Sequence, residues 1–250
     1  MNKKIIKIAL HILALVVIMA GLWFLLHPEM LQQTMSVSPL AQSEDLREIP
    51  SADVPNSPYY KDVDVYHMGN TATRTILTNF ATRQQRTNYT CGPVAAIMVA
   101  DYFLRTTPYD EMAVAKIMGT KKFSGTDIAG MVAYFEKLGW QVTDSRKERS
   151  PETYRYFLHW VTNNLAKGTP IIVENVEMGG HWRVIIGYDT MGTAVEDDDV
   201  LIMADPYDTN DHKRDGYTIN SAMRFYYMWF DTKILPKGEQ TKPYIIAKPK

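Results

Sequence analysis

Cysteine is nearly absent. The 250-residue chain has one, Cys91, which excludes an intrachain disulfide and any metal cluster built on cysteine and leaves a free thiol. An excess of charge of either sign is also missing. Against 27 Lys and Arg stand 28 Asp and Glu, for a net charge of −1, and the two signs are intermixed, so the basic field that nucleic acid would require is lacking. No internal repeat recurs at the usual solenoid periods. What the chain does have is apolar material: 46% hydrophobic residues and 11% aromatic, ample for a packed core and incompatible with a disordered chain.

The N-terminus carries the one long hydrophobic run. Lys3, Lys4 and Lys7 precede an apolar stretch over 8–26 broken only by His11 and Gly21. At 1.5 Å per residue it reaches about 28 Å, close to the hydrocarbon thickness of a bilayer. The core is longer than that of a cleavable signal peptide, and neither Ile18-Met19-Ala20 nor Pro39-Leu40-Ala41 is a good small-x-small site, so the expectation is an uncleaved transmembrane signal-anchor over 1–26. The three lysines keep its N-terminus in the cytoplasm and place the remainder outside. Residues 27–59 are polar and punctuated by Pro28, Pro39, Pro50, Pro55 and Pro58, the composition of a tether. A domain of normal size, 60–250, follows.

Within that domain the pattern predicts short strands at 63–66 and 75–77. A buried helix over 91–104, apolar on nearly every face, follows. A second helix is expected from Thr107-Pro108 to about Met118 with Thr107 as N-cap. A third follows Gly125-Thr126-Asp127 and closes at Gly139, and a fourth is capped at Ser150-Pro151-Glu152 and carries Tyr156, Phe157, Trp160, Val161 and Leu165 on one stripe. A short strand at 140–142 lies between the last two. Then the period changes: 170–176, 181–188 and 200–204 are β-branched or aromatic runs separated by Gly179-Gly180 and by a turn-rich loop. A last short helix over 221–230 and a strand at 244–247 complete the chain. Helices followed by an antiparallel sheet make an α+β domain.

Cys91 sits where a polar segment meets the buried helix, with Gly92-Pro93 at the junction. Proline suits the first helical turn, so Cys91 belongs at or just before the helix N-terminus. Unpaired N–H groups and the positive end of the helix dipole favour an anion there, and a thiolate is one. A lone cysteine is by type a small core hydrophobe. This position points instead to a nucleophile.

Such a nucleophile needs a base and the base an orienting group. Of six histidines, His11 and His27 fall in the anchor and tether, His67 precedes the core, His159 lies in a helix and His212 in a charged loop. His181, after Gly179-Gly180 at the mouth of an apolar strand, is the base. If the strands at His181 and Val200 form a hairpin centred near Gly192 or Thr193, Asp205 falls opposite His181 on a neighbouring strand about 4.8 Å away. The rival, Asp189, is eight residues along the same strand, about 26 Å off when extended. For the oxyanion, Cys91's own N–H and a side-chain amide just upstream are the donors; Gln85 is preferred over Gln84 and Asn88. The acidic runs at 196–199 and at Asp205, Asp208, Asp211 and Asp215 lack calcium-loop spacing and read as solvated surface. Tyr226, Tyr227, Trp229 and Phe230 read as core.

In this order, Gln85, Cys91-Gly92 and its apolar helix, Gly125, Gly168-Thr169-Pro170-Ile171-Ile172-Val173, His181 to Tyr188 and Ala204-Asp205-Pro206, the residues resemble the C39 and C39-like peptidases over about 80–232. The resemblance implies a papain-like fold and a cysteine-type peptidase with Cys91 as nucleophile, His181 as base, Asp205 as its orienter and Gln85 in the oxyanion hole, acting on a peptide or protein without a cofactor or metal. Thr90 stands where the leader peptidases of that group commonly have an aspartate. Combined with the N-terminal charges, the expectation is a single-pass protein of a bacterial cytoplasmic (inner) membrane with its domain outside, or a secreted one if the anchor is trimmed. Acyl transfer by the same triad and a non-catalytic binding module at the membrane are the alternatives.

Overall fold

The computed structural model describes residues 65–107, 109–209 and 214–250. The expected anchor, tether, domain start at Tyr60, and Asp211 and His212 lie outside the described residues. Among the described residues no helix is long and apolar enough to cross a membrane.

The chain folds as α+β around one antiparallel sheet. Its elements in order are β1 (Arg74–Ile76), α1 (Cys91–Leu104), α2 (Glu111–Met118), α3 (Ile128–Lys137), β2 (Gln141–Asp144), α4 (Tyr154–Ala166), β3 (Ile171–Asn175), β4 (His181–Asp189), β5 (Val200–Ala204), β6 (Tyr217–Ser221), α5 (Ala222–Tyr227) and β7 (Tyr244–Lys248). The sheet runs β2-β7-β3-β4-β5-β6, and β1 pairs with the far end of β4 where β3 has ended. Every residue of β3 and β4 is buried, as central strands covered on both faces require.

α1 begins at Cys91 and buries its first ten residues. It packs on β4, and side chains such as Ile97, Met98 and Val99 each contribute roughly 1.5–3 kcal/mol by leaving water. Gly92 allows the close approach of its first turn to the start of α3: a Cβ there would lie 2.9 Å from the Thr126 side chain. The Trp182 indole of β4 donates to the Thr126 carbonyl at 2.9 Å, tying the sheet to the same point.

Several expected boundaries move. The strand expected at 63–66 is replaced, where described, by a 3₁₀ turn at Val65–His67. The cap of α2 lies three residues beyond the expected one, because Asp110, not Thr107, accepts the Ala113 N–H; a carboxylate at the N-cap position satisfies a free helix amide directly. α4 is capped by Thr153 through the Tyr156 N–H rather than by the 150–152 segment, and its buried stripe uses Leu158 while Tyr156 is exposed. The 221–230 segment is helical only over Ala222–Tyr227, with Ser221 as cap. Trp229 and Tyr226 are core, but Tyr227 and Phe230 are exposed. β6 is an unexpected strand, and β7 inserts between β2 and β3.

Candidate active site

Thr90 occupies the N-cap position of α1 without capping it. Its hydroxyl donates to the buried Glu111 carboxylate of α2, which also accepts the Arg86 N–H at 2.9 Å. The segment leading to Cys91 is thereby pinned at both ends by one carboxylate, and the helix amides at Cys91 are left free of a side-chain cap.

Cys91 and His181 are 6% and 3% exposed, and their side chains lie close enough to interact. His181 Nε2 lies 2.7 Å from Asp205 Oδ1, so Nδ1 is the nitrogen left for the thiol. The strand register differs from the expected one. Val184 pairs with Ala204, which puts Asp205 across from Arg183, two residues along, and a bulge between Ile185 and Gly187 shifts the remaining pairs by one. The face is kept because a two-residue shift preserves strand parity, and Asp205 meets His181 on the diagonal. Asp189 is 3.6 Å from Arg74 instead.

Electrostatics follow from this line of groups. Burial alone would push the His181 imidazole down, but the hydrogen bonds to Asp205 and Cys91, with their charges, raise it to about 9. Burial would likewise raise the Asp205 carboxyl. The His181 bond, the Arg183 charge and the Tyr207 N–H overrule it and hold the carboxyl below the usual range. Arg183 is itself buried, with Nη1 3.9 Å from Asp205 Oδ2 and Nη2 2.7 Å from Glu177 Oε2. It was not singled out in the sequence, although an arginine inside an apolar strand is the signal that marks it.

The Gln84-Gln85 segment is braced on the turn that carries Asp205. Gln84 Nε2 donates to the Asp205 carbonyl at 2.8 Å, Asp208 N donates to Gln84 Oε1 at 3.1 Å, and Gln85 N donates to the Pro206 carbonyl at 2.7 Å. Both ends of the Gln84 amide are thus taken, and Asn88 is exposed. Gln85 Nε2 gives one N–H to the Thr87 carbonyl at 2.6 Å, and a primary amide has a second.

A model of the Peptidase_C39 like family matches residues 77–233, more than half of the chain. The chain belongs to this family. No curated protein matches it. Among solved structures this Peptidase_C39 like chain is similar to the peptidase domain of Streptococcus ComA, a bi-functional ABC transporter involved in a quorum sensing pathway. The identity is 21% and the TM-score 0.48, over 69% of this chain and 100% of that one. It is also similar to a double glycine motif protease from an AMS/PCAT transporter in complex with the leader peptide, with 16% identity, a TM-score of 0.41, and coverage of 72% and 96%. A third is UfSP from C. elegans, with 12% identity, a TM-score of 0.45, and coverage of 78% and 37%.

Proposed function

We propose that this chain is a cysteine peptidase of papain-like fold, held to the membrane by its first 26 residues and acting on a peptide or other amide outside the cytoplasm. The observation that carries the reading is the unbroken line Cys91, His181, Asp205, with the thiol at the uncapped start of a buried helix. In a Peptidase_C39 like chain, that line fits acyl transfer from a peptide bond to water.

The raised His181 sets the division of labour. A ring held near 9 carries its proton at neutral pH, so Cys91 attacks the carbonyl carbon as its sulfur forms the C–S bond, and His181 gives its proton to the leaving amine as the C–N bond breaks. Asp205 keeps the ring in one orientation. The developing oxyanion takes the Cys91 backbone N–H and the second N–H of Gln85. Neutral His181 then removes a proton from water as the water oxygen forms a C–O bond to the acyl carbon; the C–S bond breaks, the acid leaves, and the Cys91 sulfur and protonated His181 are restored.

The test is a peptide mixture incubated with the full-length chain and read by mass spectrometry, wild type against Cys91→Ala. New termini that appear only with the wild type support the reading; no cleavage by either, under reducing conditions and across pH 5 to 9, would remove it.

A further inference from the structure

Behind the thiol lies a second pair of acids that the proposed reaction does not use. Glu174 is the one ionisable residue in β3, Ile171–Asn175, and pairs in register with Trp182, beside the Asn175–His181 pair. Asp231 follows α5. Both are completely buried. Asp231 Oδ1 accepts the backbone N–H groups of Lys233, at 2.5 Å, and of Ile234, at 3.2 Å. Its Oδ2 meets no donor, and neither does either oxygen of Glu174.

The two carboxyls lie within reach of each other, and a hydrogen bond between them is possible only if one of them carries a proton. Two adjacent buried carboxylates do not both ionise. Asp231 has two backbone N–H groups to support a charge and Glu174 faces only that of His181, so the proton belongs to Glu174, with Asp231 Oδ2 as its acceptor.

We propose that Glu174 and Asp231 form a one-proton carboxyl pair that keeps the acid facing Cys91 uncharged at physiological pH and braces the turn presenting His181. Both are positioning residues. An ionised Glu174 would oppose negative charge on the Cys91 sulfur; a protonated one does not. The bracing is visible at Gly180, where φ is +118° and a Cβ would stand 2.6 Å from Asp231 Oδ2, so the acid packs on the backbone directly before His181. The groups that face Glu174 are Asp231, the Cys91 thiol and the His181 backbone N–H. The Lys233 ammonium lies near Gly179. Burial first, then the bond to Asp231 and its charge, with Cys91 adding, push the Glu174 carboxyl up to about 11.

The consequence for the thiol rests on the peptidase reading, but the place of the proton does not, and infrared spectroscopy reads it without substrate. The full-length chain at pH 8 is compared with Glu174→Gln and Asp231→Asn, in water and in deuterium oxide. The wild type is expected to keep a protonated-carboxyl C=O band at a pH where surface acids have lost theirs, and Glu174→Gln to lose it. Asp231→Asn, whose amide still accepts both backbone N–H groups, should lose the band at lower pH than the wild type, because the neighbouring charge that raised Glu174 is gone. Absence of the band in the wild type, or its survival in Glu174→Gln, overturns the pair. If Asp231→Asn does not fold, Glu174→Gln decides alone, since its amide N–H replaces the shared proton. A missing band together with His181-dependent alkylation of Cys91 would reject the pair and leave the peptidase reading standing.

Discussion

Asp205 Oδ1 receives both the His181 ring, at 2.7 Å, and the Tyr207 backbone N–H, at 2.8 Å. The carboxylate that holds the imidazole is itself held by the chain two residues on, so its charge can be removed without freeing the ring. In Asp205→Asn the side-chain oxygen still accepts, but the charge that raises His181 is lost. The His181 titration should move down from about 9, as read by NMR of the ring; a variant still titrating near 9 would contradict the assignment. The same linkage predicts stability. A raised histidine stabilises fully below its ordinary value of 6.5 and loses that contribution as pH rises through about 9, and Asp205 loses its own as pH falls through its lowered folded value. The gap in unfolding free energy between wild type and variant is therefore widest between about pH 4 and 6.5.

Arg183 is predicted to protect Asp205 from acid. Removing the guanidinium in Arg183→Met takes away one of the charges holding the Asp205 carboxyl down, so the carboxyl rises and the acid limb of Cys91 alkylation shifts to higher pH. Arg183→Lys, which keeps the charge, should restore most of the shift. Overlapping profiles for wild type and Arg183→Met would sink the idea.

Glu111 anchors the approach to Cys91. Glu111→Leu leaves the Arg86 N–H without its acceptor and the Thr90 hydroxyl with only the Thr87 oxygens, an expected loss of roughly 1–3 kcal/mol in unfolding free energy. Urea denaturation measures it, and a loss under about 0.5 kcal/mol, the range of ordinary surface changes, would show that the carboxylate is not the anchor.

The sequence made some of this legible and concealed the rest for physical reasons. Helix α1 was readable because Cys91 to Ala100 is apolar on all faces and Gly92-Pro93 marks its start. β5, over Val200–Ala204, was readable as an unbroken apolar run between turn residues. The association of His181 with Asp205 followed from hairpin parity even though the register was displaced by two residues; the bulge at Ile185/Gly187 and the turn at Glu196–Asp198 alter the count without changing the face. β6 was hidden because Tyr217–Ser221 is half polar and follows a charged stretch of sequence. The insertion of β7 between β2 and β3 is a long-range pairing that no local period encodes. The buried charges Glu111, Glu174, Arg183 and Asp231 were missed for a related cause: each has at least one partner from a distant segment. The available hint was a charged residue within an otherwise apolar strand, as at Glu174 and Arg183.

Gln85 should separate two kinds of reactivity. Alkylation by iodoacetamide builds no oxyanion, whereas peptide hydrolysis does. Gln85→Ala is expected to cut hydrolysis by about 10²–10³-fold, the usual effect of one oxyanion donor, while leaving alkylation of Cys91 within about twofold. Equal loss in both assays would make Gln85 a structural residue, consistent with its side-chain bond to the Thr87 carbonyl.

The central claim is that Cys91 and His181 work as a pair. The direct measurement is the rate of Cys91 alkylation by iodoacetamide across pH, wild type against His181→Ala. The account predicts that the wild type reacts well below pH 7 and that the variant loses this acid-side reactivity. If both react only near pH 8.5 and above, as an ordinary thiol does, the pair does not operate and the peptidase reading falls with it.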